Sequence, residues 1–550
     1  MIDKITMGVI GHAYVAIAEE MLVNLYRSAH STVIREVRDG ATALFDAQGR
    51  TVAIANWIPQ LLNAMEPALD ALQHYYRLDE LQPGDALLTN NPFDGGQRVN
   101  DILSFTPIIM DDKLVGLTGA NAHHLDVGGG APASNSRATE VYHEGIVFPP
   151  MKIHLDYDWE NSPFGVVFKA NIRVPDKTIA DFNAQIAACR TGESRVLELV
   201  RKYGRDTITS FMSEIQDYSE GIVRQSIGNV PDGDYSAESY MEDDGIQDGP
   251  FTVRVTVRVR DTSMTIDFTG TDPQTKGFIN IPLASTVSAT RTTVMCILGT
   301  QHLFVNGGAF RPIEIHAPVG TLVNPRRPAA TGARTSTCYK IFDAVNQALA
   351  PVLPQQVNAP GYDCQIGISL SQRTESGLAV LNVVLGAGVG ALYCQIGADG
   401  MIMHLTNGMN TPVESVEIEF PYLEILRYGL VKDSCGPGLF RGGVGMERVY
   451  RVLENDVLFG LHTDRHHHSA TGIFGGLAGA PGACFVERDG TRIDLGSKVH
   501  TMLKRGDILT VRTGGGAGYG PPQERDRWRI ETDIQQEFIS PPTKSLYNPL

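Results

Sequence analysis

Imidazole and carboxylate side chains crowd one short stretch of the chain, Ala120-Asn-Ala-His-His-Leu-Asp-Val-Gly-Gly-Gly130, and His143 follows in Val-Tyr-His143-Glu-Gly145. The stretch closes an apolar run from Leu114 to Ala122, and His123 and Asp126 stand three residues apart. A turn after a strand can therefore aim both at one point. Imidazole nitrogen with carboxylate oxygen suits zinc, manganese or iron, and Gly128 to Gly130 let the backbone fold tightly around whatever is held. The competing reading is a strand end with solvated histidines, and the spacing matches no recognised zinc signature.

The elements that must position these groups read as follows. Ile10, Tyr14, Ile17, Met21 and Leu25 recur at helical spacing and predict a helix ending near His30. Ala41 to Phe45 and Arg50 to Ala55, joined by Asp46-Ala-Gln-Gly49, read as a hairpin, which places Asp39 at a strand start, free to point at a site. A helix is expected near Asn63 to Tyr76, followed by the turn-rich loop Thr89-Asn-Asn-Pro-Phe-Asp-Gly-Gly96. Its functional reading is the lip of a pocket, with Asn100-Asp101 reaching in. Amphipathic helices follow between Pro175 and Ile227, with breaks expected at Gly192 and Tyr203-Gly204. Phe251 to Val259 alternates strictly, with Met264, Ile266 and Phe268 answering it across a turn, so a hairpin with one wet face is predicted. Leu283 to Leu298 and Lys340 to Leu349 read as helices, and beyond Tyr428 short strands alternate with glycine turns. The expected class is α+β with mixed sheets, in lobes spanning 1–228, 229–428 and 429–525, and a tail at 526–550 that wraps a neighbour or stays loose.

Composition narrows the functions. A chain of 550 residues exceeds what one core usually serves, and 42% apolar with 20% charged residues is ordinary for a globular protein. The formal net charge of -16, with no basic cluster, opposes a grip on nucleic acid or an anionic membrane. Seven cysteines without Cys-x-x-Cys spacing point to reduced thiols. No signal-peptide pattern opens the chain and no apolar run is expected to span a bilayer, so a cytoplasmic location is expected.

Three other constellations carry less. Arg465-His-His-His468 places consecutive histidines on alternate faces or in a loop, and is not assigned to a metal. Thr513-Gly-Gly-Gly516 lacks the Gly-Lys-Ser/Thr ending of a phosphate loop, so no nucleotide site is expected here. His404 to Glu414 reads as a hydrogen-bonded turn.

The segments Asn90-Asn-Pro-Phe-Asp-Gly-Gly96, Ala122-His-His-Leu-Asp-Val-Gly128, Glu144-Gly145, Gln185-Ile-Ala-Ala-Cys-Arg-Thr-Gly192, Asn410-Thr-Pro-Val-Glu414, Gly436-Pro-Gly-Leu-Phe-Arg-Gly-Gly443, Phe474-Gly-Gly476 and Gly514-Gly-Gly-Ala-Gly-Tyr-Gly520 together resemble the hydantoinase B family, in order from about residue 3 to residue 522. The resemblance implies the B-type subunit of an ATP-dependent hydantoinase, lactamase or 5-oxoprolinase. It implies an A-type partner that carries ATP and magnesium, in a hetero-oligomer such as A2B2. It further implies one divalent metal ion (Zn, Mn or Fe) held by Asp39, His123, Asp126 and His143.

Two departures stand out: relatives often carry glutamine at the position of His143, and a histidine where this chain has Arg98. Arginine cannot ligate but can hold an anion such as a phosphorylated intermediate. Asp101 or His124 would relay the proton, with His124 facing away from its neighbour. The expected chemistry is activation of a cyclic amide by phosphorylation on the partner, then attack by metal-bound water. The alternatives are a subunit of a ketone carboxylase of the acetone or acetophenone type, using bicarbonate, and a non-catalytic scaffold.

Overall fold

The protein, seen as a computed structural model, is described for residues 2–547 apart from 56, 134, 300–302, 363–365, 376 and 403. Its first sheet is antiparallel and built from β1 (Gly40–Asp46), β2 (Thr51–Ile54), β3 (Asp85–Thr89), β4 (Asp101–Met110), β5 (Lys113–His123) and β6 (Met151–His154), in the order β2-β1-β5-β4-β3-β6. Burial follows position in that order: β5 and β4 at the centre are buried along almost their whole length, whereas edge strand β6 is only partly so. That explains why β5 reads as a continuous apolar run rather than an alternating one.

One face of this sheet is covered by two long helices. Helix Lys4–Ser28 is capped by Asp3, whose side chain accepts the Ile5 and Thr6 N–H groups, and it buries Ile10, Tyr14, Ile17, Met21 and Leu25. By length and composition it reaches what a bilayer span needs, contrary to the expectation from sequence, but its apolar face is spent on the core shared with β1 and helix Pro175–Tyr203. Helix Pro175–Tyr203 runs unbroken through Gly192. The expected break is absent because this glycine is a contact: a Cβ there would sit 2.3 Å from the Met21 sulfur and 2.9 Å from Thr118. The break comes at Gly204, which has a φ of 85° and starts helix Arg205–Ile227. On the opposite face lie Pro59–Leu62 and helix Met65–Gln73, over Phe45, Leu103, Phe105 and Leu117.

The second sheet, β7 (Gly233–Asp243), β8 (Asp248–Arg260), β9 (Ser263–Asp267) and β10 (Ile313–His316), is ordered β10-β9-β8-β7 and contains the expected hairpin. Val253, Val255, Val257 and Val259 point inward to helices Leu283–Leu298 and Arg334–Leu349. The remaining strands form two sheets. β11 (Ile366–Thr374), β12 (Gly377–Leu385), β15 (Val457–His462) and β18 (Lys498–Leu503) make one, and β13 (Leu423–Leu430), β14 (Met446–Val452), β16 (Ala483–Arg488), β17 (Thr491–Asp494) and β19 (Ile508–Arg512) the other. Their inner faces share one core of Leu370, Leu381, Phe459, Leu461, Tyr450 and Leu509. β11 pairs directly with β15, so the sheet crosses the lobe boundary expected at residues 428 and 429. The C-terminal tail does not stay loose. Ile530, Ile539 and Tyr547 are buried on Val444 and Cys435, and Arg441 binds Asp533 at 3.0 Å.

The glycine loop at 514–516 is a close-packing device. A Cβ on Gly516 would stand 1.9 Å from the Val389 carbonyl, so two loop backbones pack there with no room for any side chain. The triplet His466, His467 and His468 is likewise committed: its three backbone N–H groups converge on the Glu242 carboxylate.

Candidate active site at one end of the first sheet

Three neighbouring strands deliver three polar side chains to the same end of the sheet. His123 closes β5, Asp101 opens β4 as its cross-strand partner, and Asp39 precedes β1, with the His123 N–H donating to the Asp39 carbonyl at 3.0 Å. Arg38 has a φ of 60°, a left-handed turn that starts the strand and is held by the Tyr26 hydroxyl on its carbonyl at 2.8 Å. All of Asp39, Asp101 and His123 are buried.

Asp101 is the hub. Its Oδ1 lies 2.8 Å from His123 Nδ1, Arg98 Nε donates to both its oxygens at 3.0 Å, and Arg334 Nη2 donates to Oδ2 at 2.6 Å. Burial alone would raise this carboxyl, but Arg98, Arg334 and His123 outweigh it and hold it well below the usual carboxylate range. A fixed carboxylate against Nδ1 makes that nitrogen the donor, which leaves the lone pair of His123 on Nε2. The Asn382 amide, 3.4 Å from Nε2, stands on the acceptor side.

His123, Asp39, Arg98 and Asn100 line a pocket whose other wall comes from Asn382, Val384, Gly367, Ile368 and His462, with Glu144 and Gly332 at one side. Arg98 reaches Asp39 Oδ2 with Nη2 at 3.4 Å, so its Nε and Nη2 are engaged by carboxylates while the side chain borders the cavity. Glu144 accepts from the Thr331 and Gly332 N–H groups at 2.8 and 2.6 Å, and burial pushes its carboxyl up to about 8 against those donors and Arg98. His462 is pressed down to about 3 by burial, with Arg98 and Lys498 adding to it, so its ring is neutral.

The residues singled out from sequence are thus only partly gathered. Asp39, Arg98 and His123 border one pocket and Asp101 stands directly behind His123. His124 takes the opposite face, as alternation along a strand requires: its Nε2 lies 3.1 Å from Gln185 Oε1 and its ring against Phe182, in the layer beneath helix Pro175–Tyr203. It is out of reach of the pocket as a proton relay. Asp126 is buried in an ion pair with Arg173 at 2.7 Å and also accepts the Arg173 and Gly128 N–H groups, which fixes the glycine turn. His143 is exposed in a 3-10 turn, its Nδ1 accepting from Thr139 N at 3.3 Å, and it is the next residue, Glu144, that enters the pocket.

Among the described residues no three His, Cys, Asp or Glu side chains draw close enough to hold a metal ion. The ligand set implied by the resemblance is not assembled by this geometry, because Asp126 is engaged by Arg173 and His143 by the Thr139 turn. Four residues at the site were missed by sequence reading: Arg334, Asn382, His462 and Glu144. Only Glu144, beside His143 in a Glu-Gly pair, carried a local signal.

A strand-end pocket with a carboxylate-oriented histidine and a paired arginine, at the junction of a six-stranded sheet with a two-sheet β lobe, defines a class of chain, and comparison gives that class its family. The family model described as hydantoinase B/oxoprolinase matches residues 3–522, and the chain belongs to this family. It is 32% identical over 557 residues to the B-type subunit of a putative D-/L-hydantoinase from Pseudomonas sp. strain NS671, covering 98% of this chain and 93% of that one. The structure of ATP-dependent caprolactamase from Pseudomonas jessenii superposes with a TM-score of 0.91 at 26% identity, over 100% of this chain and 96% of that one. Nucleotide-free acetone carboxylase shares the fold, with a TM-score of 0.90 at 18% identity over 99% of this chain and 79% of its own.

Proposed function

We propose that this chain is the B-type subunit of an ATP-dependent hydrolase of cyclic amides, acting with an A-type subunit that phosphorylates the amide oxygen. The observation that carries the proposal is the Asp101–His123 pair facing a pocket bordered by Arg98, in a chain similar to proteins named for hydantoin and caprolactam.

An amide is a poor electrophile because nitrogen donates its lone pair to the carbonyl, and phosphorylation of the oxygen removes that stabilisation. In the pocket His123 Nε2 takes a proton from water, Asp101 stabilises the imidazolium that forms, and the hydroxide oxygen bonds to the amide carbon. The carbon–nitrogen bond then breaks as the new hydroxyl releases its proton to solvent and becomes the carbonyl of an acyl phosphate, and the ring nitrogen leaves with the bonding pair and takes up the proton from His123. A second water releases phosphate from the acyl phosphate left behind, so two waters are consumed per ring opened. Arg98, which borders the same pocket, balances the phosphoryl charge. Asp101 orients and does not relay: a carboxyl held far below its usual range carries no proton at neutral pH.

The test is an assay of this chain with its A-type partner and ATP against hydantoins, lactams and 5-oxoproline, with ketones plus bicarbonate run in parallel. Ring opening that needs both chains and ATP is expected, with loss in His123→Ala. Carboxylation of ketones without ring opening would overturn the proposal.

A further inference from the structure

A buried imidazole without a hydrogen bond needs explanation, since buried polar side chains nearly always have partners. His462 ends β15, opposite Gly367 of β11, and is buried, yet its ring makes no hydrogen bond among the described residues and its Nδ1 is wholly enclosed and unpartnered. Its position is not an accident of packing. A Cβ on Gly367 would fall 2.1 Å from His462 Nε2, so only glycine across the ladder leaves space for the ring, and both residues line the same pocket as His123 and Arg98. Phe278 stands edge-on to the ring at 6.3 Å, an apolar backing that offers no competing partner.

We propose that His462 is a substrate-contacting residue, whose Nε2, the ring nitrogen that is not enclosed, hydrogen-bonds an uncharged polar group of the amide ring in the pocket it shares with Arg98. This rests on the reading of the chain as a cyclic-amide hydrolase and adds a specificity element to it. Arg98 stands on the wall of Asp39 and His123, where the phosphoryl charge is handled. His462 comes from β15 and Asn382 from β12, and the Asn382 amide also lies 3.4 Å from His123 Nε2. A neutral imidazole has one N–H and one lone pair, so it can pair with an amide carbonyl or an amide N–H. The groups facing it are Arg98, His123 and Lys498, all of which disfavour its protonation, and Glu144 lies in the same cavity. The ring therefore stays neutral across the working pH range and acts as a recognition group. Rings that offer a polar atom to this residue are held, while the same ring with that atom replaced by carbon leaves His462 unpaired and is rejected.

The experiment uses the assembled pair of subunits. His462→Leu keeps the bulk and removes the hydrogen bond, and its kcat/KM for hydantoin is expected to fall roughly tenfold, mainly through KM. His462→Gln should recover part of the loss. The shape of the pH–rate profile should stay unchanged, because the removed group does not titrate. Calorimetric titration of hydantoin into the pair without ATP reads the same contact without turnover, and binding should weaken by a similar factor in His462→Leu. If the wild type binds and opens hydantoin and His462→Leu does both equally well, the inference about His462 fails and the function stands. If the wild-type pair neither binds nor opens any cyclic amide, the function fails and the inference with it.

Discussion

Asp101 and His123 are direct cross-strand partners on β4 and β5, with carboxylate oxygen and ring nitrogen 2.8 Å apart. The pairing depends on register. A slip of one residue would put Ile102 opposite His123 and turn the carboxylate to the other face of the sheet, so the ladder of central strands sets the chemistry of the pocket. The same register continues into the His124 N–H, which donates to the Asn100 carbonyl at 2.8 Å and fixes where β5 ends.

Asp101→Asn tests that relationship. Asparagine cannot hold the His123 tautomer by charge, and kcat/KM is expected to fall by on the order of a hundredfold or more. Asp101 also neutralises Arg98 and Arg334, so thermal unfolding of this variant should occur at lower temperature than that of His123→Ala, which leaves both arginines paired. Wild-type rates in Asp101→Asn, measured with partner and ATP, would remove the orienting role.

Arg98→Ala separates an anion clamp from a framework arginine. The structure gives Arg98 two carboxylate partners, Asp101 and Asp39, so some loss of stability is expected in any case. A clamp on the phosphoryl group adds a loss of turnover of about ten- to a hundredfold, corresponding to roughly 1.5–3 kcal/mol for a charge-assisted hydrogen bond. Arg98→Lys should restore the charge without the fork and recover only part of the rate. Full turnover in a folded Arg98→Ala would leave Arg98 as framework only.

Asp126 is expected to behave as a structural residue. Its carboxylate is wholly buried and holds Arg173 and the N–H of Gly128, so Asp126→Ala should cost about 3 kcal/mol of stability, read by chemical denaturation. Elemental analysis of the same preparations distinguishes the other role. An ion present in the wild type and lost from Asp126→Ala at unchanged stability would make Asp126 a ligand and overturn the structural reading.

Much of the fold could be read because periodicity reports burial: the N-terminal helix, the hairpin at residues 40–54 and the alternating strand at residues 251–259 all stand where their patterns place them. Gly192 misled because a glycine that breaks a helix and a glycine that lets a helix approach its neighbour look alike in sequence. The site was legible only on its first wall. His123 and Asp39 sit at strand ends whose local patterns are strong, and alternation placed His124 on the far face. Arg334, Asn382 and His462 come from elements more than two hundred residues away in the chain, and nothing in their neighbouring residues signals a pocket. His143 and Asp126 satisfied a spacing rule, but spacing says only that two side chains can converge, and here Arg173 and the Thr139 turn engage them first.

Glu144 gives a prediction that needs no partner subunit. Its folded carboxyl sits at about 8, against 4.5 for an ordinary glutamate in the unfolded chain. Between those two values the folded protein keeps a proton that the unfolded chain has lost, so stability falls as pH rises through the window. Burial is the cause, and the N–H groups of Thr331 and Gly332 offset only part of it. Glu144→Gln carries no proton to lose. Its melting temperature should therefore decline less steeply than that of the wild type between pH 5 and 8, and the two curves should converge toward the acid end, where the wild-type carboxyl is protonated in both states. Parallel curves across the window would mean that Glu144 is already ionised in the folded protein at neutral pH, balanced by Arg98 and the two N–H groups, and the pocket would then carry one more negative charge at the working pH.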